Sequence, residues 1–209
     1  MVFAPDDAIA EAVVNETLDT AGAARFSSQD MEKDIVYFDL ETQRTANDAG
    51  GWDQKAKMGM SIGVTYSTRL GEYQIYTEKN VDALIQQLIR ADLVVGFNVV
   101  SFDYEVLMAY TIMDLPSQCR TLDLLVDIEK VLGHRVGLDS VASASLGVGK
   151  TADGLDAIRW WREGRLLEIA EYCCYDVKCT MQVHEFGRDN GHVFYFDRSQ
   201  RKQSAVVKW

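Results

Sequence analysis

Residues 34–41 read Asp-Ile-Val-Tyr-Phe-Asp-Leu-Glu, and the fold turns on how this octapeptide is read. Ile35, Val36, Tyr37 and Phe38 are consecutive apolar residues, the pattern of a strand buried on both faces. Asp39 and Glu41 follow at its end. Side chains at i and i+2 of a strand leave by the same face, so the two carboxylates converge. Anions held together at the end of an apolar strand repel each other and resist desolvation unless a cation neutralises them. A hard divalent ion is the simplest such cation. The competing reading is a strand whose last residues merely reach solvent, and the octapeptide alone does not choose.

The surrounding chain sets the limits. Its 209 residues suit one domain with a full core, and 47% hydrophobic residues beside 25% charged ones describe a folded globular chain. The expected division is an N-terminal extension over 1–33, with a short helix around Ala8–Leu18, and one domain over 34–209. The opening MVFAPDDAIAEAVVNE has early acids and no basic segment, and no apolar run reaches a membrane span. The expectation is a cytoplasmic protein with no membrane partner. Cys119, Cys173, Cys174 and Cys179 form no CxxC pair and read as small core residues. A net charge of −11 speaks against a broad non-specific nucleic-acid coat, but not against an enzyme that grips a strand end through metal ions. Basic residues gather only near the end, at Arg198, Arg201, Lys202 and Lys208.

Beyond the first strand, Thr42–Lys57 is polar, contains Gly50-Gly51 and reads as a long loop leaving directly from the carboxylates. Trp52 on it is placed to stack on a base, with Arg44, Lys55 and Lys57 for phosphates; a packed surface Trp is the plainer alternative. Met60, Ile62, Val64 and Tyr66 alternate with smaller residues, and with Tyr73 and Ile75 they make a hairpin turning at Leu70-Gly71. Asn80 reads as the N-cap of a helix whose apolar face is Leu84, Ile85, Leu88 and Ile89, and Leu93–Phe97 as another strand. Ser101 reads as the cap of a helix with Asp103 in its first turn, just past a strand end, where open α/β sheets place their sites. Asn98 lies on the intervening loop. Cys119–Leu125 reads as a strand leading into a helix, and Leu138–Leu146 as a helix ended by Gly147.

Ala144–Thr151, ASLGVGKT, imitates a phosphate-binding loop, yet a helical pattern precedes it where a strand is required and Asp153-Gly154 follows it. Nucleotide hydrolysis is therefore not expected, although Lys150 remains a candidate phosphate contact. Arg162–Phe186 is the longest helical pattern, with Leu166, Ala170, Cys173, Val177 and Met181 on its buried stripe. Tyr172 and Asp176 stand four apart on one face beside that stripe. The last residues, from Gly187, contain a hairpin that either packs on the sheet or offers a docking edge.

Taken in order, FDLET, NVVSFD and YCCYD resemble the three motifs of the DEDD superfamily of 3′→5′ exonucleases, in the tyrosine subtype. Tyr172, with Glu171 where the histidine subtype has His, sets the subtype. GFNVVSFDYEVL, RTLDLL, GHRVGLDSVA, WWREGR and the closing VKW further resemble a group of bacterial predicted exonucleases linked to helicases, over about Asp34 to Trp209. The resemblance implies an α/β ribonuclease H-like fold with a mixed five-stranded sheet flanked by helices. It implies two Mg²⁺ or Mn²⁺ ions held by Asp39, Glu41, Asp103 and Asp176, with Tyr172 orienting the attacking water. Substrate contacts are expected from Thr42, Asn98, Lys150 and Trp52. The implied activity is 3′→5′ hydrolysis of phosphodiesters, foremost at single-stranded DNA ends, and the implied partner is a helicase or other repair protein. An exoribonuclease on the same site and a non-catalytic nucleic-acid or helicase-binding module are the alternatives.

Overall fold

The structure, a computed structural model, describes residues 33–149 and 154–209. The expected helix near Ala8–Leu18, and Lys150, lie outside the described residues.

Strand β1, Ile35–Thr42, is the centre around which the chain assembles. Strands β2 (Met60–Ser67), β3 (Glu72–Thr77), β4 (Leu93–Gly96) and β5 (Thr121–Asp123) complete a five-stranded sheet in the order β3-β2-β1-β4-β5. The β1–β2 and β2–β3 pairs are antiparallel, and the β1–β4 and β4–β5 pairs parallel, so the sheet is mixed. The helices are α1 (Ala46–Ala49), α2 (Val81–Arg90), α3 (Asp103–Leu107), α4 (Leu115–Gln118), α5 (Leu124–Leu132), α6 (Leu138–Leu146), α7 (Gly154–Glu163) and α8 (Leu166–Asn190).

The four apolar residues of β1 feed two cores, as an unbroken apolar run requires. Ile35 and Tyr37 pack with Ala170, Cys173 and Val177 of α8, while Val36, Phe38 and Leu40 pack with Leu84, Leu88 and Val106 on the opposite side. Because side chains alternate, Asp39 and Glu41 continue the face that looks towards α8. β4 pairs with β1 only at Ile35–Tyr37, so the acidic end of β1 projects past it, and a register shift between Glu41 and Thr42 turns the strand end beside the carboxylates.

Several local expectations differ from what the chain does. Thr42–Lys57 is not an open loop: α1 starts from a reciprocal capping box between Thr45 and Asp48, and a 3-10 helix runs over Trp52–Lys57. Asn80 is the N-cap residue of α2 as expected, but its side chain makes no cap bond there; it accepts from the Thr77 backbone N–H at 2.7 Å and closes a preceding 3-10 turn. Ser101 does not cap α3, whose N-cap residue is Phe102; the Ser101 hydroxyl donates to Asn98 Oδ1. The helical stretch expected from Arg162 breaks at Gly164, whose φ of 73° is left-handed, so α7 and α8 are separate helices. The C-terminal hairpin, β6 (His192–Phe196) with β7 (Lys202–Val206), is its own two-stranded sheet. It docks on α6 rather than on the main sheet, through Ser140 and Ser145 hydroxyls that exchange hydrogen bonds with the Phe196 and Phe194 backbone. All four cysteines are free and buried, packed as small core residues.

Candidate active site

Two strand residues and one helix residue make the centre. Asp39 and Glu41 at the end of β1 and Asp176 on α8 each present a carboxylate oxygen, and these atoms lie within 4.8 Å of one another; all three residues are half-buried. The sequence of α8 brings Asp176 there, because the stripe of Ala170, Cys173 and Val177 that packs on Tyr37 leaves the Asp176 side over the strand end. Cys173 ties the two elements together: its thiol donates to the Asp39 carbonyl and to Asp39 Oδ2, each at 3.4 Å.

The carboxylates raise one another. Burial, then Asp103, Asp176 and Glu41 in turn, push the Asp39 carboxyl well above the usual range, and only the Cys173 thiol works the other way. Burial, followed by Asp176 and Asp103, likewise drives Glu41 well up. An anionic cluster at a strand end, raised by its own members, is what hard divalent ions neutralise, and the oxygen-only donor set fits Mg²⁺ or Mn²⁺.

Asp103 stands apart from this trio. It is 2% exposed at the start of α3, lines the same cleft as Asp39 and Glu41, and its Oδ1 accepts from the Leu40 backbone N–H at 3.0 Å. Burial lifts its carboxyl to about 7, against the opposing pull of that backbone hydrogen bond. It remains close enough to be the largest charge acting on Asp39. The structure thus gathers three of the four expected acids and sets the fourth beside them, bonded to the strand.

Tyr172 lies one turn before Asp176. Burial raises its phenol first, then the charges of Asp176, Glu41 and Asp39, and a hydrogen bond to Asp176 adds to the effect. The hydroxyl therefore stays protonated beside the acids. Its ring meets Trp160 of α7 edge-on at 6.3 Å.

The carboxylates open into a cleft of roughly 700 Å³ whose lining includes Asp39, Glu41, Thr42, Asn98 and Asp103. One wall carries Trp52 and Phe102, the other Leu155 and Ile158 of α7. Trp52 is 67% exposed, with its ring 6.4 Å from that of Phe102. An ion pair of 2.8 Å between Arg162 and Asp48 joins α7 to α1. Of the expected substrate contacts, Thr42, Asn98 and Trp52 reach this cleft; Thr42 is buried, with its hydroxyl donating to the Arg44 carbonyl.

Asp123 was not among the residues singled out from sequence. Its carboxylate accepts from the backbone of Asn98 at 2.8 Å and Val100 at 3.0 Å, and caps α5 through Leu125 and Val126. It therefore fixes the loop between β4 and Asp103. An acid directly before the apolar Leu124-Leu125 was the available signal. Gly96 lets that loop close: a Cβ there would lie 2.1 Å from Val99 and 3.1 Å from the Phe38 carbonyl.

The family model for the RNase_H superfamily matches residues 36–186, most of the chain and every element of this site. The chain belongs to the RNase H superfamily. A solved structure shares the fold: the family B DNA polymerase of the hyperthermophilic archaeon Pyrobaculum calidifontis, with a TM-score of 0.58 and 15% identity over 74% of this chain. The match spans only 24% of the polymerase, so it speaks to the fold alone. No curated protein matches the sequence. Membership of the RNase H superfamily, together with the carboxylate cluster at the end of the central strand, supports a nuclease. Among the described residues no helix is long and apolar enough to cross a membrane.

Proposed function

We propose that this protein is a metal-dependent 3′→5′ exonuclease of the tyrosine DEDD type, acting foremost on single-stranded DNA ends. The observation that carries the reading is the meeting of Asp39, Glu41 and Asp176 within 4.8 Å on an RNase H-type sheet.

In this reading Asp39, Glu41, Asp103 and Asp176 would hold two Mg²⁺ or Mn²⁺ ions, Asp103 from its place in the same cleft as Asp39 and Glu41. Bound there, such ions activate water and offset charge on the leaving 3′-oxygen. The chain's own groups do the rest. Tyr172, kept as a phenol by its acidic neighbours, is a poor base and a good hydrogen-bonding partner, so it orients the attacking water. Trp52, exposed and backed by Phe102, offers a flat apolar face on which an unpaired base stacks whatever its identity. Thr42 and Asn98 line the same cleft and fix the terminal nucleotide. The apolar wall beside the acids matches a ligand that is anionic at one end and aromatic at the other. A helicase or repair protein as partner belongs to the same proposal.

Matched single strands of DNA and RNA, labelled at the 5′ end, together with closed circular single-stranded DNA, provide the test. Stepwise shortening of the linear strands from the 3′ end, with the circle intact, is the expected result. Cutting of the circle would replace the exonuclease by an endonuclease, and faster loss of the RNA would make it an exoribonuclease.

A further inference from the structure

Resting on the reading of Asn98 as a substrate contact, we propose that Arg135 is a positioning residue. It dictates which end of the Asn98 amide faces the cleft.

Asn98 holds a left-handed backbone, with φ at 73°, on the loop that Asp123 fixes through the Asn98 and Val100 N–H groups. The backbone is thus anchored, and the remaining freedom is the amide flip. Asn98 Oδ1 accepts from the Ser101 hydroxyl at 2.6 Å and from Arg135 Nη2. These two donors are not equivalent. A serine hydroxyl donates or accepts, so it tolerates either orientation of the amide. A guanidinium only donates, so a flipped amide would set its NH₂ against Arg135. Arg135 is the group that discriminates. It claims the amide oxygen and leaves Nδ2, a donor, for the cleft that Asn98 lines.

The consequence is electrostatic. The ligand of this cleft is an anionic phosphodiester, and the cleft already carries Asp39, Glu41 and Asp103. An amide nitrogen donates to a phosphate oxygen, whereas an amide oxygen in its place would repel it. Arg135 itself sits outside the packed core, on the exposed connection between α5 and α6, where a second contact holds it: an ion pair with Glu129 at 3.3 Å. Its effect on the ligand passes through Asn98.

The test is a double-mutant cycle with Arg135→Ala and Asn98→Gly, the glycine chosen because it keeps the left-handed backbone without strain. Binding of 5′-fluorescein-labelled dodecathymidylate is read by anisotropy with Ca²⁺, alongside the KM for cleavage with Mg²⁺. Each single variant is expected to weaken binding about tenfold, one hydrogen bond to a charged group, with kcat changed less. Arg135→Lys, which restores a donor, is expected to recover most of the loss, and the double variant to bind no worse than Asn98→Gly. Losses that multiply would show Arg135 acting on the ligand by itself and would overturn the proposal.

A readout independent of nucleic acid separates this inference from the exonuclease reading. The Asn98 side-chain NH₂ signals, identified by their loss in Asn98→Gly, are expected to be a sharp pair in the wild type and to shift and broaden in Arg135→Ala as the amide begins to flip. Unchanged signals would refute the positioning role even in a protein that cleaves DNA. A clear change in a protein that neither binds nor cleaves would uphold it while removing the proposed function.

Discussion

The Cys173 thiol touches Asp39 twice, at its carbonyl and at its carboxylate, each at 3.4 Å. The contact joins the longest helix to the central strand at the point where the acids meet. Cys173 is fully buried, and burial, followed by the charges of Asp39 and Glu41, pushes its thiol well up, so it serves as a neutral donor rather than a nucleophile.

That the cluster stores repulsion has a measurable consequence. Burial raises Asp39 first and neighbouring acids raise it further, so its charged form at neutral pH opposes folding. Asp39→Asn removes one charge while leaving an acceptor for Cys173. In chelator the variant is expected to melt above the wild type by about 2–4 °C, as a relief of ~1 kcal/mol gives for a chain of this size. Mn²⁺ should raise the melting temperature of the wild type and leave the variant where it is.

Tyr172→Phe isolates the hydroxyl. The ring and its edge contact with Trp160 survive, so thermal stability should hold within about 0.5 kcal/mol. kcat is expected to fall ~10- to 100-fold with KM little changed, as loss of a group that orients water implies. Steady-state cleavage of a labelled oligonucleotide reads both constants, and a rise in KM alone would move Tyr172 from chemistry to binding.

Trp52 gives the opposite signature. Being 67% exposed, it contributes little to the core, and Trp52→Ala should leave unfolding by urea unchanged. Loss of one stacked base, worth ~1–3 kcal/mol, should raise KM by about tenfold or more, and a strand whose 3′-terminal residue is abasic should no longer distinguish variant from wild type.

Asp197 is the acid-sensitive point of the C-terminal hairpin. Its carboxyl is lowered from the ordinary 3.8, chiefly by the Arg201 backbone N–H and also by the Ser199 N–H and the Arg201 and Gln203 side chains. A folded value below the unfolded one means that the stabilisation is complete above the ordinary value and is lost as pH falls through the lowered one. The Ser199 and Arg201 amide shifts should therefore move together as pH falls below the ordinary 3.8, and Asp197→Asn should abolish the movement.

How much of this was legible beforehand depends on the range of the signal. The apolar run Ile35–Phe38 with Asp39 and Glu41, the hairpin turning at Leu70-Gly71 and the end of α6 at Gly147 are written in contiguous residues, and the structure has them as read. Asp176 was legible through helical spacing from Tyr172. The short α1 escaped because its capping box uses Thr45 with Asp48 instead of the more familiar Glu, within a polar stretch without apolar period. The break at Gly164 escaped because apolar residues on both sides keep a helical rhythm, while only the left-handed backbone reveals the interruption. Asp103 was legible from its place just past a strand end, and it lines the cleft with Asp39 and Glu41; its bond to the Leu40 backbone N–H is a matter of tertiary placement, which motif order does not encode. The same holds for Arg135, thirty-seven residues away from Asn98 in sequence and joined to it only by the fold.

The measurement that bears most directly on the account is the cleavage of 5′-labelled single-stranded DNA by wild-type protein and Asp39→Asn, with Mg²⁺ or Mn²⁺ and with excess chelator. The prediction is a ladder shortening from the 3′ end with either metal, absent with chelator and absent in the variant. Cleavage that persists in chelator or in Asp39→Asn, or a folded wild type that takes up Mn²⁺ and leaves every strand intact, would contradict it.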